Sequence, residues 1–205
     1  MGLVVLAVVF LMIFSYQATV VDNFPGEVAV SEWVQTWRVP WLDRVMKGLS
    51  MMIHEFSVVA IVIFIALVFY IKGMRDYAGL IVGASVVGFL FRTALKFAVD
   101  RPRPSPELVQ VIEQADSSSF PSGHVMFSVI FLTTLTFVLL RQVVSGVARW
   151  FIVGASAAAM VLVGFSRIYL GVHWLGDVLA GYAFSAVIVI GSICVWRTWA
   201  ESKSS

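Results

Sequence analysis

Long stretches without charged side chains constrain this sequence more than any other feature. Six stretches carry no Asp, Glu, Lys or Arg: residues 1–21, 56–71, 77–91, 125–140, 150–166 and 178–196. Because a helix needs about 20 mostly apolar residues to cross the hydrocarbon core of a bilayer, each stretch suffices once it extends into its polar flanks. The chain of 205 residues is 60% hydrophobic and only 13% charged, which excludes a soluble globular protein, a disordered chain and a coiled coil.

The six stretches predict an all-α, polytopic membrane protein. We place six transmembrane helices at residues 2–20, 52–71, 77–96, 122–140, 149–167 and 175–196. The first residues lack the basic start of a signal peptide, so the first helix is expected to be retained. The loops are short, so we expect a single integral-membrane domain over residues 1–205.

Residues 22–50 predict a short interfacial helical segment between the first and second transmembrane helices. One face of this segment repeats at the spacing i, i+3, i+4, i+7: Val30, Trp33, Val34 and Trp37. Tryptophan-rich amphipathic helices lie at the level of the lipid headgroups. We expect the segment to be a membrane anchor, and a wall that guides a lipid headgroup is the alternative.

Six crossings put both termini on one side of the membrane, together with loops 72–76 and 141–148. That side carries six Lys and Arg residues against two acidic ones, and the opposite side carries eight against ten. The positive-inside rule counts Lys and Arg, and six against eight does not favour the side of the termini. The counts become about even if some cations of the opposite side belong to a binding site. On that basis we expect cytoplasmic termini. The net charge of +2 is too small to indicate a nucleic-acid partner.

Ionisable residues within the helices gather at the side opposite the termini. They begin or end the predicted helices there: Glu55, Arg92, Lys96, His124, Arg167, His173 and Asp177. Ionisable groups in a membrane are costly and usually mark a functional site, whereas charges that only snorkel would be scattered over both ends. The distribution predicts a polar site at this face. The proline- and serine-rich loop 97–121 is long enough to act as its lid.

Three segments of this face carry chemistry, and the first is Lys96-Phe-Ala-Val-Asp-Arg-Pro-Arg103-Pro104. Its cations converge at one helix end, and two prolines stiffen the chain that presents them. Arginine binds phosphate oxygens bidentately and lysine binds them as a point charge. An ordinary basic juxtamembrane stretch is the alternative.

The second segment, Pro121-Ser122-Gly123-His124, opens the fourth predicted helix. Proline suits the first turn of a helix, and Ser122 and Gly123 would leave backbone N–H groups free to face an anion. His124 could donate a proton to a leaving oxygen. A helix cap with an incidental histidine is the alternative.

The third segment is Ser166-Arg167-Ile-Tyr-Leu-Gly-Val-His173-Trp-Leu-Gly-Asp177. Asp177 follows His173 by four residues, so the two would share a helix face. A carboxylate bonded to one imidazole nitrogen fixes the tautomer and leaves the other nitrogen nucleophilic. Arg167 would add a cation for an oxyanion. A structural His–Asp pair at a helix start is the alternative.

Together the segments provide an anion cradle, two histidines and a carboxylate. The cradle comprises Lys96, Arg103, Arg167 and the N–H groups near Ser122 and Gly123. This set fits phosphoryl transfer, in which a histidine can be the covalent nucleophile. Zinc bound by His124, His173 and Asp177 is the competing interpretation. Three nearby cations would repel a divalent ion, so no metal is expected.

The three segments resemble the signature motifs of the type 2 phosphatidic acid phosphatase family. They contain Lys-x6-Arg-Pro, Pro-Ser-Gly-His and Ser-Arg-x5-His-x3-Asp in the family's order, over residues 96–177. The six-span layout is similar to the family's bacterial integral-membrane branch of phosphatidylglycerophosphate and undecaprenyl pyrophosphate phosphatases. The resemblance marks residues from about 92 to 180 as the core of one integral-membrane phosphatase domain.

The resemblance implies a metal-independent phosphatase with a six-helix core and no cofactor. It implies that His173 attacks phosphorus and becomes a phosphohistidine, that Asp177 orients it, and that His124 protonates the leaving lipid oxygen. Water would then hydrolyse the intermediate. The residues that would hold the phosphate oxygens are Lys96, Arg103, Ser122, Gly123 and Arg167.

We therefore expect a lipid phosphatase in the inner (plasma) membrane whose site faces the periplasm or the cell exterior. Its partners would be the bilayer and a lipid phosphate. Family analogy ranks undecaprenyl pyrophosphate first, followed by phosphatidylglycerophosphate, phosphatidic acid and diacylglycerol pyrophosphate. Selectivity is expected from His54, Glu55 and residues 105–119. A lipid phosphotransferase is a near alternative. A non-enzymatic lipid or anion transporter is less favoured, because the charges lie at helix ends rather than at the membrane midplane.

Overall fold

The computed structural model describes residues 2–115, 117–143 and 145–202, and the side chains of residues 2–8 and Glu55 lie outside that description. Within the described residues all regular structure is helical, which confirms the all-α prediction. The eight helices are α1 (Gly2–Val20), α2 (Glu27–Gln35), α3 (Pro40–Met52), α4 (Glu55–Ile71), α5 (Arg75–Val99), α6 (Gly123–Leu140), α7 (Gly146–Tyr169) and α8 (Leu175–Ser202).

Each of the six predicted spans contains one helix, and the largest difference is at α8, which continues to Ser202. By length and hydropathy, α5, α6, α7 and α8 can each cross a membrane. Helices α3 and α4 meet at a bend of 58° and make a fifth crossing if they are taken together. In α1, Val9–Val20 is a shorter apolar helix. The chain is a multi-pass membrane protein.

Helix α6 lies at the centre of the bundle. It packs against α5, α7 and α8, and α4 packs on α5. Small residues permit close approach, since a Cβ at Gly181 of α8 would stand 3.1 Å from Val125 of α6. Val125 shares an apolar cluster with Val163 of α7 and Val178 of α8. These contacts fix the start of α6, the end of α7 and the start of α8 relative to one another.

Residues 22–50 contain two helices, α2 and α3, both of which contact α7, and α2 also contacts α8. Val34 and Met46 are buried and belong to the apolar cluster at the end of α7. Trp33 and Trp37 face outward, 58% and 53% exposed. The segment is helical, as predicted, and its outward tryptophans are available to a lipid interface.

The described residues of the connection between α5 and α6 form no helix, but hydrogen bonds join them to neighbouring elements. Gln35 of α2 donates through Nε2 to the Gln110 carbonyl at 2.7 Å and accepts from the Gln110 N–H at 3.0 Å. The Ile112 N–H donates to the carbonyl of Leu170, just after α7, at 2.9 Å. These bonds hold the loop over the helix ends, and its predicted role as a lid stays a prediction.

Candidate active site

A cavity of about 290 Å³ lies where the end of α5, the start of α6 and the end of α7 meet beneath the loop. Six of the eight predicted site residues line it: Lys96, Arg103, Gly123, His124, Arg167 and His173. The other two, Ser122 and Asp177, are fully buried beside it. The motifs therefore meet at one end of the bundle, where the ionisable residues were predicted to gather.

A tight turn after α7 carries His173 to the cavity. The Val172 N–H donates to the Arg167 carbonyl at 3.1 Å, and Gly171 has a φ of +68°. This left-handed glycine ends the helix in a Schellman-type motif. A Cβ on Gly171 would stand 2.2 Å from the Gln110 carbonyl oxygen, so the loop and the turn fit together only with glycine here.

The two ring nitrogens of His173 face different surroundings. Nε2 lies 3.4 Å from Nη1 of Arg103, which also donates to the Val172 carbonyl at 2.7 Å. Nδ1 lies 3.3 Å from the Ser119 hydroxyl and 3.6 Å from Oδ2 of Asp177. A carboxylate beside Nδ1 favours the tautomer with the proton on that nitrogen. The lone pair of Nε2 is then directed towards the cationic side.

The imidazole of His173 is kept neutral by its position. Burial lowers the pKa of His173 to about 4, a shift that Asp177 opposes and that Arg103 and Lys96 reinforce. At neutral pH the ring therefore carries no charge, and one nitrogen has a free lone pair. That is the form able to attack phosphorus.

The carboxylate of Asp177 is held from three directions. Oδ2 accepts from the Ser119 hydroxyl at 2.5 Å and from the Trp174 N–H at 2.9 Å, and Oδ1 accepts from Arg101 at 2.7 Å. The bond to Trp174 caps the start of α8. At 3.6 Å, the predicted contact of Asp177 with His173 is longer than a normal hydrogen bond. The hydroxyl of Ser119 bridges the two groups, although no predicted motif contains this serine.

Two further buried charges complete the surroundings of Asp177. Arg101, 1% exposed, donates through Nη2 to Oε2 of Glu27 at 2.6 Å while its Nη1 binds Asp177. Glu27 begins α2 and is 3% exposed. Neither residue belongs to the defined positions of a recognisable motif. Arg101 stands among several basic residues of one segment, and no spacing links Glu27 to a motif so far along the chain.

The cations from the first motif are positioned by the loop. Nζ of Lys96 donates to the Ser118 carbonyl at 2.7 Å and to the Ser117 hydroxyl at 2.9 Å. Nε of Arg103 donates to the Ser117 carbonyl at 2.7 Å. Both cations are therefore fixed in direction before any substrate binds, which is the arrangement that stabilises a developing charge most effectively.

The cation from the third motif is fixed from the other side of the cavity. Arg167 is fully buried, and its guanidinium donates to the hydroxyls of Ser166 and Ser50, each at 3.0 Å. The Ser50 hydroxyl in turn donates to Oε1 of Glu113 at 2.8 Å. Helix α3 and the loop thereby both contribute to the placement of Arg167.

The start of α6 differs from the prediction in one respect. The Ser122 N–H donates to the Asp177 carbonyl at 3.1 Å, so this N–H is not free to bind an anion. The Ser122 hydroxyl is buried and has no hydrogen-bond partner within the described part of the chain. Gly123 lines the cavity, and a Cβ there would stand 2.5 Å from Nε of Arg92. Glycine lets this fourth cation lie across the start of the helix.

His124 lines the same cavity as His173. Its Nε2 is buried and makes no hydrogen bond to any described residue. A buried polar atom without a partner is costly, so a ligand that bonds to it would be stabilised.

Across residues 2–115, 117–143 and 145–202, no three His, Cys, Asp or Glu side chains are grouped so that they could hold a metal ion.

An apolar cleft of about 210 Å³ adjoins the polar cavity, between α3, α4, α6 and α7. Ile53 and Phe127 line both spaces, and the other walls of the cleft are mainly aliphatic. Of the places expected to set selectivity, His54 lines the polar cavity, as does Gln114 of the loop. The side chain of Glu55 lies outside the described residues.

Comparison with known proteins gives a family and two relatives. A family model described as the PAP2 superfamily matches residues 77–201. The phosphatidylglycerophosphatase B of Bacillus subtilis (strain 168) is 32% identical over 168 residues, which cover 80% of this chain and 79% of that protein. The putative undecaprenyl-diphosphatase YbjG of Escherichia coli (strain K12) is 24% identical over 163 residues, which cover 77% of this chain and 75% of that protein.

Two solved structures share the fold. The transmembrane PAP2-type phosphatidylglycerolphosphate phosphatase from Bacillus subtilis superposes with a TM-score of 0.80 at 23% identity, over 97% of this chain and 96% of that one. Aquifex aeolicus LpxE superposes with a TM-score of 0.68 at 22% identity, over 84% of this chain and 98% of that one. The overall arrangement of the helices is thus the one these two proteins have.

Proposed function

The chain belongs to the PAP2 superfamily of phosphatases, and we propose that it is an integral-membrane enzyme that hydrolyses a lipid phosphate or pyrophosphate through a phosphohistidine. One observation carries the proposal. Nε2 of a neutral, buried His173 faces a cavity lined by Lys96, Arg103 and Arg167. Fixed cations around a nucleophile are what phosphoryl transfer requires, because its catalysis consists mainly of positioning and charge stabilisation.

In the first step, the lone pair of His173 Nε2 forms a bond with phosphorus as the bond from phosphorus to the leaving oxygen breaks. His124 gives that oxygen a proton, so the product leaves as a neutral alcohol or a protonated phosphate ester. The oxygens of the transferred group lie among Lys96, Arg103 and Arg167, with Gly123 beneath them. Asp177 and Ser119 support the ring from its Nδ1 side.

In the second step, water attacks the phosphorus of the phosphohistidine. The bond from phosphorus to Nε2 breaks, inorganic phosphate leaves, and the attacking water loses a proton to His124. Both histidines return to their starting states. No metal or cofactor takes part in this scheme, since the cations and the two histidines supply the charge stabilisation and the proton transfers.

We assign the substrate to lipids because of the apolar cleft. A polar headgroup in the cationic cavity would place the adjoining hydrocarbon chain beside Ile53 and Phe127, which line both spaces. Arg92 adds a fourth cation to the cavity wall, which favours a pyrophosphate over a single phosphate. Undecaprenyl pyrophosphate therefore stays first among the candidates, ahead of phosphatidylglycerophosphate, phosphatidic acid and diacylglycerol pyrophosphate.

For the architecture we propose six crossings, α1, α4, α5, α6, α7 and α8, in one domain over residues 1–205. The motif-bearing core would cover about 92–180, and α2 and α3 would lie at the lipid interface. The termini would be cytoplasmic and the site would face the periplasm or the cell exterior, in the inner (plasma) membrane. Outward Trp33 and Trp37 support an interfacial position for α2.

The principal alternative is a lipid phosphotransferase. The same phosphohistidine would then pass its phosphoryl group to an acceptor alcohol instead of water. No described feature of the cavity selects between these acceptors, so the assay must include both. A transporter would need neither a nucleophile nor a proton donor.

The test measures inorganic phosphate released in detergent from a panel of lipid phosphates and pyrophosphates. Wild-type release should resist EDTA, be inhibited by vanadate and fall roughly a thousandfold in His173→Ala, because the nucleophile is lost. Wild type, but not the variant, should accumulate an acid-labile phosphoenzyme. Relative kcat/KM values rank the substrates.

The control is Arg149→Ala, which changes a cation near the start of α7, at the opposite end of the bundle. Its turnover should stay within about threefold of wild type, as is usual for surface substitutions. A folded wild-type protein that releases no phosphate from any lipid, with or without an acceptor alcohol, would contradict the proposed function.

A further inference from the structure

Glu27 touches neither the cavity nor the reacting histidine, yet it is tied to both. We propose that Glu27 is a positioning residue for the reaction: by binding Arg101, it leaves the negative charge of Asp177 available to His173. This inference rests on the proposed phosphohistidine chemistry. It gives α2 a role in catalysis. The sequence of α2 predicted only a membrane anchor.

Arg101 is shared between two carboxylates. Its Nη1 lies 2.7 Å from Oδ1 of Asp177, and its Nη2 lies 2.6 Å from Oε2 of Glu27. The side chains of Arg101 and Asp177 are 0% exposed and that of Glu27 is 4% exposed, so water screens none of these charges. The ring of Phe24 lies 4.5 Å from the guanidinium carbon and closes the remaining face.

The cluster of Glu27, Arg101 and Asp177 carries one negative charge that no cation within it neutralises. Two carboxylates and one guanidinium have a net charge of −1, and the neighbouring His173 is neutral before reaction. When Nε2 bonds to phosphorus, the ring becomes an imidazolium with a charge of +1, which the surplus negative charge stabilises. Without Glu27, Arg101 would neutralise Asp177, and the ring would gain its positive charge beside a pair with no net charge.

Glu27 also holds the backbone that carries Asp177. Its Oε1 accepts from the Gly176 N–H at 2.7 Å, in the first turn of α8. Its Oε2 accepts from the Phe24 N–H at 2.5 Å, which fixes the carboxylate at the start of α2. A Cβ on Gly176 would stand 2.7 Å from Oε1 of Glu27, so glycine is what leaves room for the carboxylate against the start of α8. The charge and the position of Asp177 therefore both depend on α2.

The experiment compares Glu27→Gln with Glu32→Gln, an exposed position on the same helix. Glu27→Gln keeps the size of the side chain and removes its charge. We expect kcat and the rate of phosphoenzyme formation to fall by about tenfold or more, with KM within about threefold, because the charge acts on the transition state and not on substrate binding. Glu32→Gln should match wild type in both constants.

A double variant distinguishes the effect of the Glu27 charge from the effect of its structural contacts. In Glu27→Gln with Arg101→Met, both charges are removed and Asp177 keeps its own. We expect this double variant to form phosphoenzyme faster than Glu27→Gln alone, although it has lost more contacts. Glu27→Gln leaves Arg101 with less buried counter-charge and could therefore fail to fold. In that case the double variant provides the test: turnover within about tenfold of wild type supports the proposal.

Two results would overturn the inference. One is a folded Glu27→Gln with wild-type kcat, and the other is a folded double variant that is no faster than Glu27→Gln or has no turnover. Wild-type protein assayed in parallel distinguishes these failures from failure of the proposed function. If wild type forms an acid-labile phosphoenzyme that His173→Ala lacks, the phosphohistidine scheme stands whatever Glu27→Gln does.

Discussion

At His173, the two nitrogens of one imidazole meet opposite electrostatic surroundings. Arg103 and Lys96 stand on the side of Nε2, and Asp177 stands with Ser119 on the side of Nδ1. A phosphate would bring negative charge to the first side. The bond to phosphorus would put positive charge on the ring, next to the second side. The same residue would therefore fit its surroundings both before and after the proposed covalent step.

The neutral state of His173 predicts how the stability of the fold depends on pH. The unfolded chain protonates this ring at its ordinary pKa of 6.5, whereas the folded protein does so only near pH 4. Between these values the unfolded state binds more protons, so the free energy of unfolding falls as the pH is lowered from about 6.5 towards 4. Above pH 6.5 this contribution does not vary.

His173→Gln removes the titrating group and keeps a polar side chain. Thermal midpoints in detergent, measured from about pH 4 to 7.5, should therefore fall less steeply towards acid for the variant than for wild type. Parallel curves for the two proteins would mean that the folded His173 titrates near its ordinary pKa.

The eight site residues proposed from the sequence are those whose types and spacings form recognisable motifs. Ser119 was not predicted as a site residue, because it is the last of three consecutive serines and no pattern distinguishes the one that bonds Asp177. Arg101 was one basic residue among several. Its side chain binds the buried carboxylates of Glu27 and Asp177, and the spacing of basic residues in a sequence does not show such a contact.

Among the elements, the turn between α7 and α8 leaves no room for a side chain at Gly171. It reverses the chain within a few residues, presents His173 to the cavity and packs against the loop before α6. Gly171 permits this because its φ of +68° is costly for any other residue, and the loop leaves no space for a Cβ. Lengths of uncharged sequence predicted both helices but gave no information about the geometry of the turn.

Gly171→Ala should lower the thermal midpoint by about 2–8 °C, since a left-handed conformation costs an L residue roughly 1–2 kcal/mol. The new methyl group would also push against the Gln110 carbonyl and shift His173, so kcat should fall as well. Differential scanning fluorimetry and the phosphate assay measure the two effects.

Gly154→Ala, in the middle of α7 where a Cβ meets open space, is the matched control. It should keep or slightly raise the midpoint, because alanine favours helix over glycine. Equal midpoints for wild type and Gly171→Ala would contradict the account of the turn.

For the whole molecule, hydropathy alone was sufficient to predict one all-helical bundle. The sequence separated the interfacial segment 22–50 from a span that begins at residue 52, whereas in the structure α3 continues to Met52 and α4 begins at Glu55 after a bend of 58°. The polar residues His54 and Glu55 mark the break, but hydropathy gives no information about the angle of the bend. The bend places Ser50 of α3 against Arg167, a contact that no pattern of charges could indicate.

The proposed orientation of the bundle can be tested with cysteine labels. In a Cys194→Ala background, Glu107→Cys places a thiol on the loop above the cavity and Gln142→Cys places one after α6 at the opposite end. A membrane-impermeant maleimide should label Glu107→Cys in intact cells, and Gln142→Cys only after the cells are opened. The reverse pattern would put the site in the cytoplasm.

The bonds that join Glu27, Arg101 and Asp177 also impose an order on biosynthesis. The ribosome makes Glu27 with the first helices, and the partner that completes the cluster follows only with α8, the last helix. Until α8 is in place, neither Glu27 nor Arg101 has its full set of partners, and charges without partners stay hydrated because burial is costly. In the proposed arrangement of six crossings, a nascent chain with five helices inserted would hold the cations proposed to bind phosphate but would lack Asp177. Under the proposed mechanism, catalysis would begin only when membrane insertion is complete.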